Sequence, residues 1–511
     1  MTQKLSALFL VGVLGLVLTS KSTLAQGTFN AINDGSWDSP STWTCISGTC
    51  GPGYPTNPAD VATITIYTVT TVGTINITSL EIGTGGVLDL RDYTGHTIGT
   101  FTGNDGALVR ITAASGTAPF PAIATDNYTN IDKSVVEFYG NTSYSIPARQ
   151  YPTLSITGSN TKTFTAGAVS IVGDLNVEIG AILNLGSANI TVTQTANIRG
   201  SLIDEVNGGS NQFQAEFNVF PGGNLKDGAG VAIANAYIFF GSVNVLGNFT
   251  AAANSANTST FEFRNAITTF AGSTFNLANN GQYRFASASL ISINAQEAMT
   301  FGLSGEGAPC VVSANVVVNT SGSGGVITFN LGSGNFTINS GFSFSNNNGS
   351  LGITLNGVAP AQLTGAGTWI QNDNAVLNYQ LANQISSAVD FGSNLNTVIY
   401  GSGGNQSILG TTYHHVTFNN AGTKTLKGNL IANGDLRILG TAILNTLDVS
   451  LQRNVSISGN LERGSSAVFN QGTGRVTLNA PTQQSIKGGF TFYKLVSAAT
   501  SRIILDPTTP I

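Results

Sequence analysis

The chain has 511 residues, of which only 9% are charged and 41% hydrophobic, with 62 glycines. Ordinary domains carry about 25% charged residues, and a disordered tract would hold far less apolar material. A net charge of −5 with no dense basic patch excludes a nucleic-acid partner, which demands Lys and Arg enough to neutralise a phosphate backbone.

Residues 1–25 read as a signal peptide. Lys4 supplies the positive start, Leu5 to Leu18 the apolar run, and Thr23-Leu24-Ala25 the small residues of a cleavage site after Ala25. About 14 apolar residues fall short of the roughly 20 that span a bilayer, and no later segment reaches that length. The mature chain is therefore expected to be exported, with no transmembrane segment after cleavage.

Residues 26–60 read as an N-terminal cap. They hold Trp37, Trp43, Pro40, Pro52, Pro55 and Pro58, together with Cys45 and Cys50. An exported chain permits a local disulfide between these cysteines. The rival reading, a metal site, lacks a further Cys or His nearby to complete a tetrahedral set. Cys310 is left over and is expected to be buried and inert.

Residues 61–511 repeat themselves. "TKTFTAGAVSIVGDLNVEIGAILN" (161–184) returns as "TKTLKGNLIANGDLRILGTAILN" (423–445). Upstream, Ser145-Ile146 with Tyr151 and Leu154 matches Ser407-Ile408 with Tyr413 and Val416. A third copy has Ser485-Ile486 with Phe492 and Leu495. Two shorter signatures punctuate the text. One is Gly, then Asp, Asn or Ser, then Leu or Phe, as at Gly173, Gly200, Gly247, Gly434 and Gly459. The other is Gly and a small residue before an alternating aliphatic run, as at Gly180-Ala181-Ile182. The first is expected to be a tight corner in which glycine takes a positive φ.

Between corners Val169, Ile171, Leu175, Val177 and Ile179 keep a period of two, which is strand periodicity. No helical stripe of ten residues follows the signal peptide. Short strands without hairpin turns favour a right-handed parallel β-helix, an all-β solenoid with coils of about 20–25 residues, over a string of sandwiches. Abundant Asn and Thr predict side-chain ladders between coils. About twenty coils would make a rod of order 100 Å. The third copy stops short of its Gly-Asp-Leu coil, so the chain is expected to be truncated at its C-terminal end.

No catalytic, cofactor or metal motif is read. His414 and His415 are adjacent in a strand and are expected to face opposite sides; His96 is expected on a polar surface loop. No Gly-x-Ser-x-Gly elbow occurs. Asp174 and Asp435 occupy equivalent corners and read as turn chemistry. Asp204-Glu205 is the one adjacent acidic pair. The threonines of Thr63–Thr78 read as ordinary strand residues. Tyr139 and Tyr400 read as equivalent core aromatics, with sugar stacking as the other possibility.

Gly35, Trp37, Trp43, Pro55, Asp60 and Ile64, with Gln406-Ser407-Ile408-Leu409-Gly410 and Gln484-Ser485-Ile486-Lys487-Gly488, carry a resemblance. The chain resembles secreted adhesin-like parallel β-helix surface proteins of Bacteroidetes type, and its head is similar to the start of the eight-glycine domain. The resemblance implies type IX secretion and a C-terminal sorting or anchoring region, which is expected to be missing from this chain. Two functions follow. One is a non-enzymatic, secreted or cell-surface protein that attaches to polysaccharide or cell-surface ligands. The other is a polysaccharide-binding or polysaccharide-degrading β-helix, which requires charged side chains to converge on a groove, around Glu137, Asp174 and Glu178 or near Asp204.

Overall fold

A computed structural model describes residues 26–506, except 130–132, 207, 229–232, 255, 305–308, 321–324, 350–351 and 499–501. The predicted signal peptide lies outside the described residues. Among those described, all regular structure is β, and no helix is long and apolar enough to cross a membrane.

The strands are two to seven residues long. Their side chains alternate inward and outward, as in Ile291–Ala295, where the first, third and fifth residues are buried. Each strand pairs in parallel with its counterpart one coil later: Leu175 with Ala196, Ala196 with Phe217, Phe217 with Val243. The fold is thus a parallel β-solenoid. Sheet I has 16 strands, from Gly35–Ser36 to Ala388–Asp390; sheet II has 17, from Tyr144–Ile146 to Arg502–Asp506; sheet III has 10, from Gln150–Tyr151 to Leu363–Thr364. Beyond residue 400, smaller sheets of four and five strands take the turn order of III and I. At about 4.8 Å per strand, sheet II alone is roughly 80 Å long.

The first coils have only two sheets, sheet I and a six-stranded head sheet. In the head sheet Gly27–Ala31 pairs in parallel with Val61–Ile64 and antiparallel with Trp43–Gly48, which covers its outer edge. Trp37 and Trp43 are buried against each other, edge to face at 5.0 Å, and belong to the same continuous core as the coils. Because parallel coils bring like positions together, the core stacks like on like. Phe213, Phe239, Phe263 and Phe285 of sheet III form a column with centroid spacings of 5.3, 5.4 and 6.0 Å. The threonines of Thr63–Thr78 form no column of their own, since Thr63 stacks between Asn30 and Glu81.

The repeated sentences fold alike but not on the same face. Val135–Phe138 and Thr153–Ile156 of the first copy lie in sheet I. Their counterparts Thr397–Tyr400 and His415–Phe418 lie in sheet II. Local contacts are nonetheless reproduced. Tyr151 donates to the Pro147 carbonyl (2.6 Å), and Tyr413 donates to that of Leu409 (2.7 Å). The ammonium of Lys162 caps the carbonyl of Gly140, and that of Lys424 caps Ser402, both at 2.7 Å. Both lysines are fully buried, which lowers each to about 8. Gln406 donates to the carbonyls of Tyr379 and Leu381, and Gln484 donates to those of Ile457 and Gly459, two coil carbonyls per glutamine. The recurrent Gln and Lys therefore satisfy backbone oxygens that turn away from the sheets.

The Gly-Asp-Leu corners differ from expectation. Gly200, Gly247 and Gly459 do not have positive φ. A Cβ on Gly200 would come within 2.3 Å of the Glu178 carbonyl oxygen of the preceding coil. Close approach of coils, not backbone handedness, selects glycine there. Positive φ belongs instead to the second signature, as at Gly180 (83°). Tyr139 and Tyr400 are also not equivalent. Strand register matches Tyr400 to Phe138, both buried, and leaves Tyr139 half-exposed on the outside.

Replacing Gln406 with Leu should destabilise the fold by about 1–3 kcal/mol, because it strands two buried carbonyls. Lys424→Met should act similarly. Chemical denaturation, with hydrogen exchange at residues 379–432 as the local readout, checks both.

Candidate functional surface

Cys45 and Cys50 form a disulfide, and Cys310 is buried and free. The acidic residues singled out in the sequence do not converge on a groove. Glu137 is paired with Arg110 (2.7 Å) and accepts from the Thr157 hydroxyl (2.6 Å). Glu178 is paired with Arg199 at 3.3 Å. Asp174 accepts the Thr195 N–H and Asp435 the Asn460 N–H, each from the next coil. This is the corner chemistry expected of both.

Asp204 lies inside the solenoid, not on a groove. Successive coils at the corner of sheets II and III place Asp227 directly over it. The Tyr237 hydroxyl sits between the two carboxyls, 2.9 Å from Asp204 Oδ2 and 2.8 Å from Asp227 Oδ1. A phenol has one proton and can donate to only one of them. The other contact is satisfied when that carboxyl itself carries a proton. Asp227 also accepts from Asn257 (2.9 Å) and Asn235 (3.4 Å), whereas the one further side-chain donor to Asp204 is Asn211 (2.9 Å). The proton accordingly resides on Asp204. Burial first, and then the charge of Asp227, push its carboxyl up to about 7 against the hydrogen bonds that oppose the shift.

The outer face of sheet I carries the longest regular feature. Its central column runs Asp89, Arg110, Glu137, Ser155, Asn176 in register. From there asparagine follows asparagine. Asn197 donates to Asn176 (3.0 Å), Asn218 to Asn197 (3.3 Å) and Asn244 to Asn218 (2.8 Å). Thr268 interrupts once, and the amides resume as Asn294, Asn319, Asn347, Asn372 and Asn394. Each link uses one N–H and one lone pair of a side-chain amide. A carboxamide has two of each, so the rungs before the last keep a donor and an acceptor for solvent or ligand, while Asn394 gives its second N–H to the Gln371 carbonyl (3.2 Å). The side-chain ladders expected from the Asn-rich sequence are present.

Sheet II carries a different column near its end: Thr417, Arg437, Glu462, Lys487 and Asp506 follow one another in register. Arg437 pairs with Glu462 at 3.4 Å and with Asp435 at 3.1 Å. Beside it Thr397, His415, Thr417, Asp435 and Arg437 line a recess of about 170 Å³. His415 Nδ1 accepts the Asp435 N–H (2.9 Å) and lies 3.8 Å from its carboxylate. Burial and the neighbouring His414 lower the His415 imidazole from its usual value.

The two imidazoles do not face opposite sides. Their centroids are 4.5 Å apart, because His414 sits at a bend between strands rather than within one. His96 is buried, not on a surface loop. Its Nδ1 accepts the Ile75 N–H (3.1 Å), and burial lowers its pKa. Sequence reasoning missed the His415–Asp435–Arg437 grouping. Its three members lie up to 22 residues apart and meet only through coil stacking; the sole hint was a histidine exactly one coil before a Gly-Asp-Leu corner. Among the described residues no three His, Cys, Asp or Glu side chains are grouped to hold a metal ion.

No protein-family model matches this chain, and no curated protein matches it significantly.

The Asp204 proton has a direct consequence. A carboxyl raised to about 7 from an ordinary 3.8 binds its proton more tightly in the folded state. Its stabilisation is complete below about 3.8 and is lost as pH rises through about 7. Thermal unfolding should therefore show stability falling as pH rises from about 3.8 to about 7, and Asp204→Asn should flatten that slope.

Proposed function

We propose that this chain is a secreted or cell-surface attachment protein, adhesin-like, in which a rigid β-solenoid presents an extended face to a polysaccharide or another surface. The observation that carries the reading is the asparagine column of sheet I, running from Asn176 to Asn394. It repeats a half-exposed amide donor and acceptor at a spacing of about 4.8 Å. Such a row matches a polymer that offers hydroxyls at many successive positions. Many weak contacts along one rigid rod then act together, since the protein side loses little entropy on binding. Export by type IX secretion and surface anchoring belong to the same proposal. They draw their support from the exported-type N-terminus and the disulfide.

A second reading rests on the His415 recess. A neutral imidazole, a carboxylate and a guanidinium converge there, the groups a polysaccharide-cleaving β-helix would need to move a proton and stabilise developing negative charge.

One experiment separates them. Residues 26–511 are screened against insoluble and soluble polysaccharides, scoring both retention and the appearance of new reducing or unsaturated ends. Retention without cleavage, weakened by Asn197→Asp with Asn218→Asp, is the expected result. Cleavage abolished by His415→Ala would replace the attachment reading with the enzymatic one.

A further inference from the structure

The head contains a recess that the attachment face does not use. Trp37, Asp38, Tyr54, Thr56, Thr74 and Asn76 line a space of about 240 Å³ where the cap meets the turn after Thr68–Thr70. This is below the roughly 300–1,000 Å³ of drug-sized sites, which limits an occupant to a single ring or a chain end.

The wall that carries Tyr54 is held from both sides. On one side the Cys45–Cys50 disulfide and the turn bond from the Gly53 N–H to the Cys50 carbonyl (2.8 Å) fix its start. On the other, the buried carboxylate of Asp60 accepts three backbone N–H groups, from Thr56 (3.0 Å), Asn57 (2.8 Å) and Gly27 (2.9 Å). That ties the loop to the first strand. The opposite wall is fixed by the Thr74 hydroxyl, which donates to the Thr94 carbonyl (2.9 Å). The Trp37 indole N–H is taken by the Pro55 carbonyl (3.0 Å), so the indole has no donor left for an occupant. A site pre-formed in this way spends little binding energy on ordering itself.

The lining combines two chemistries. Tyr54 is half-buried and gives the aromatic surface, while Trp37, packed edge-on against Trp43, is itself buried in the floor. Asp38 and Asn76 are exposed at the rim, where a carboxylate accepts and an amide both donates and accepts. A pyranose ring has the same division, with a C–H face and a hydroxyl edge. The Asp38 carboxylate opposes an anionic ring. We propose that the head recess binds the terminal ring of a neutral saccharide. The attachment reading supplies only the ligand class, so each can fail alone.

The test titrates residues 26–511 with neutral cello-, manno- and chito-oligosaccharides. An oligogalacturonate and a proline-rich decapeptide are run beside them. Calorimetry and tryptophan fluorescence, which reports on the adjacent Trp37, give the affinities. A neutral oligosaccharide should bind, and Tyr54→Ala and Asp38→Ala should each weaken it by about tenfold, the worth of one good contact. Asp38→Ala should leave thermal unfolding unchanged, and Asn197→Asp with Asn218→Asp should leave this binding intact. Preference for the oligogalacturonate or the peptide would overturn the proposal. So would no binding at millimolar concentration, or binding that survives both head substitutions. Loss of polymer retention in the ladder variant together with no oligosaccharide binding by the unsubstituted chain would keep the attachment reading and remove the head site.

Discussion

Everything in this molecule depends on the parallel hydrogen-bond ladder between coils. It sets one rise for the backbone, and every side chain must then accept a neighbour about 4.8 Å above and below it. Apolar residues meet apolar residues, so Phe213 to Phe285 stack into a column. Outside, the same constraint turns Asn176 to Asn394 into a hydrogen-bonded row. Core and surface are two expressions of one translation.

The constraint also explains where the unusual buried groups lie. Coils leave carbonyls unpaired wherever the chain turns from one sheet to the next. Lys162, Lys424, Gln406 and Gln484 answer these oxygens with side-chain donors. At the corner of sheets II and III the demand is met differently, by Asp204, Tyr237 and Asp227 sharing protons across two coils. In a buried polar network of this kind each lost contact leaves a group without a partner at low dielectric, which is costly. That makes the corner sensitive to the loss of one proton.

Function on such a scaffold is a matter of which outward columns are left with unused hydrogen-bonding capacity. Salt bridges consume Glu137 and Glu178. The amide column of sheet I retains capacity along most of its length, and the head recess retains it at Asp38 and Asn76. A long face and a small tip site are compatible on one rod, since neither needs the other to move.

The amino-acid sequence by itself determined the all-β class, the stacked coils, the inward–outward alternation, the aromatic head with its cysteine pair and the abundance of ladder-forming asparagine. These are signals carried within a few residues, by period two and by composition. Tertiary structure alone decided which residues share a column. In-register partners on successive coils lie from 18 residues apart (Val61 and Ser79) to 34 (Gly35 and Val69), so phase is not conserved along the chain. That is why the second copy of the repeat lies one face away from the first, and why Tyr400 matches Phe138 and not Tyr139. It is also why Asp227 stands over Asp204 and His415 beside Arg437. A local pattern specifies a strand, whereas the register between coils depends on the summed lengths of all the turns before it.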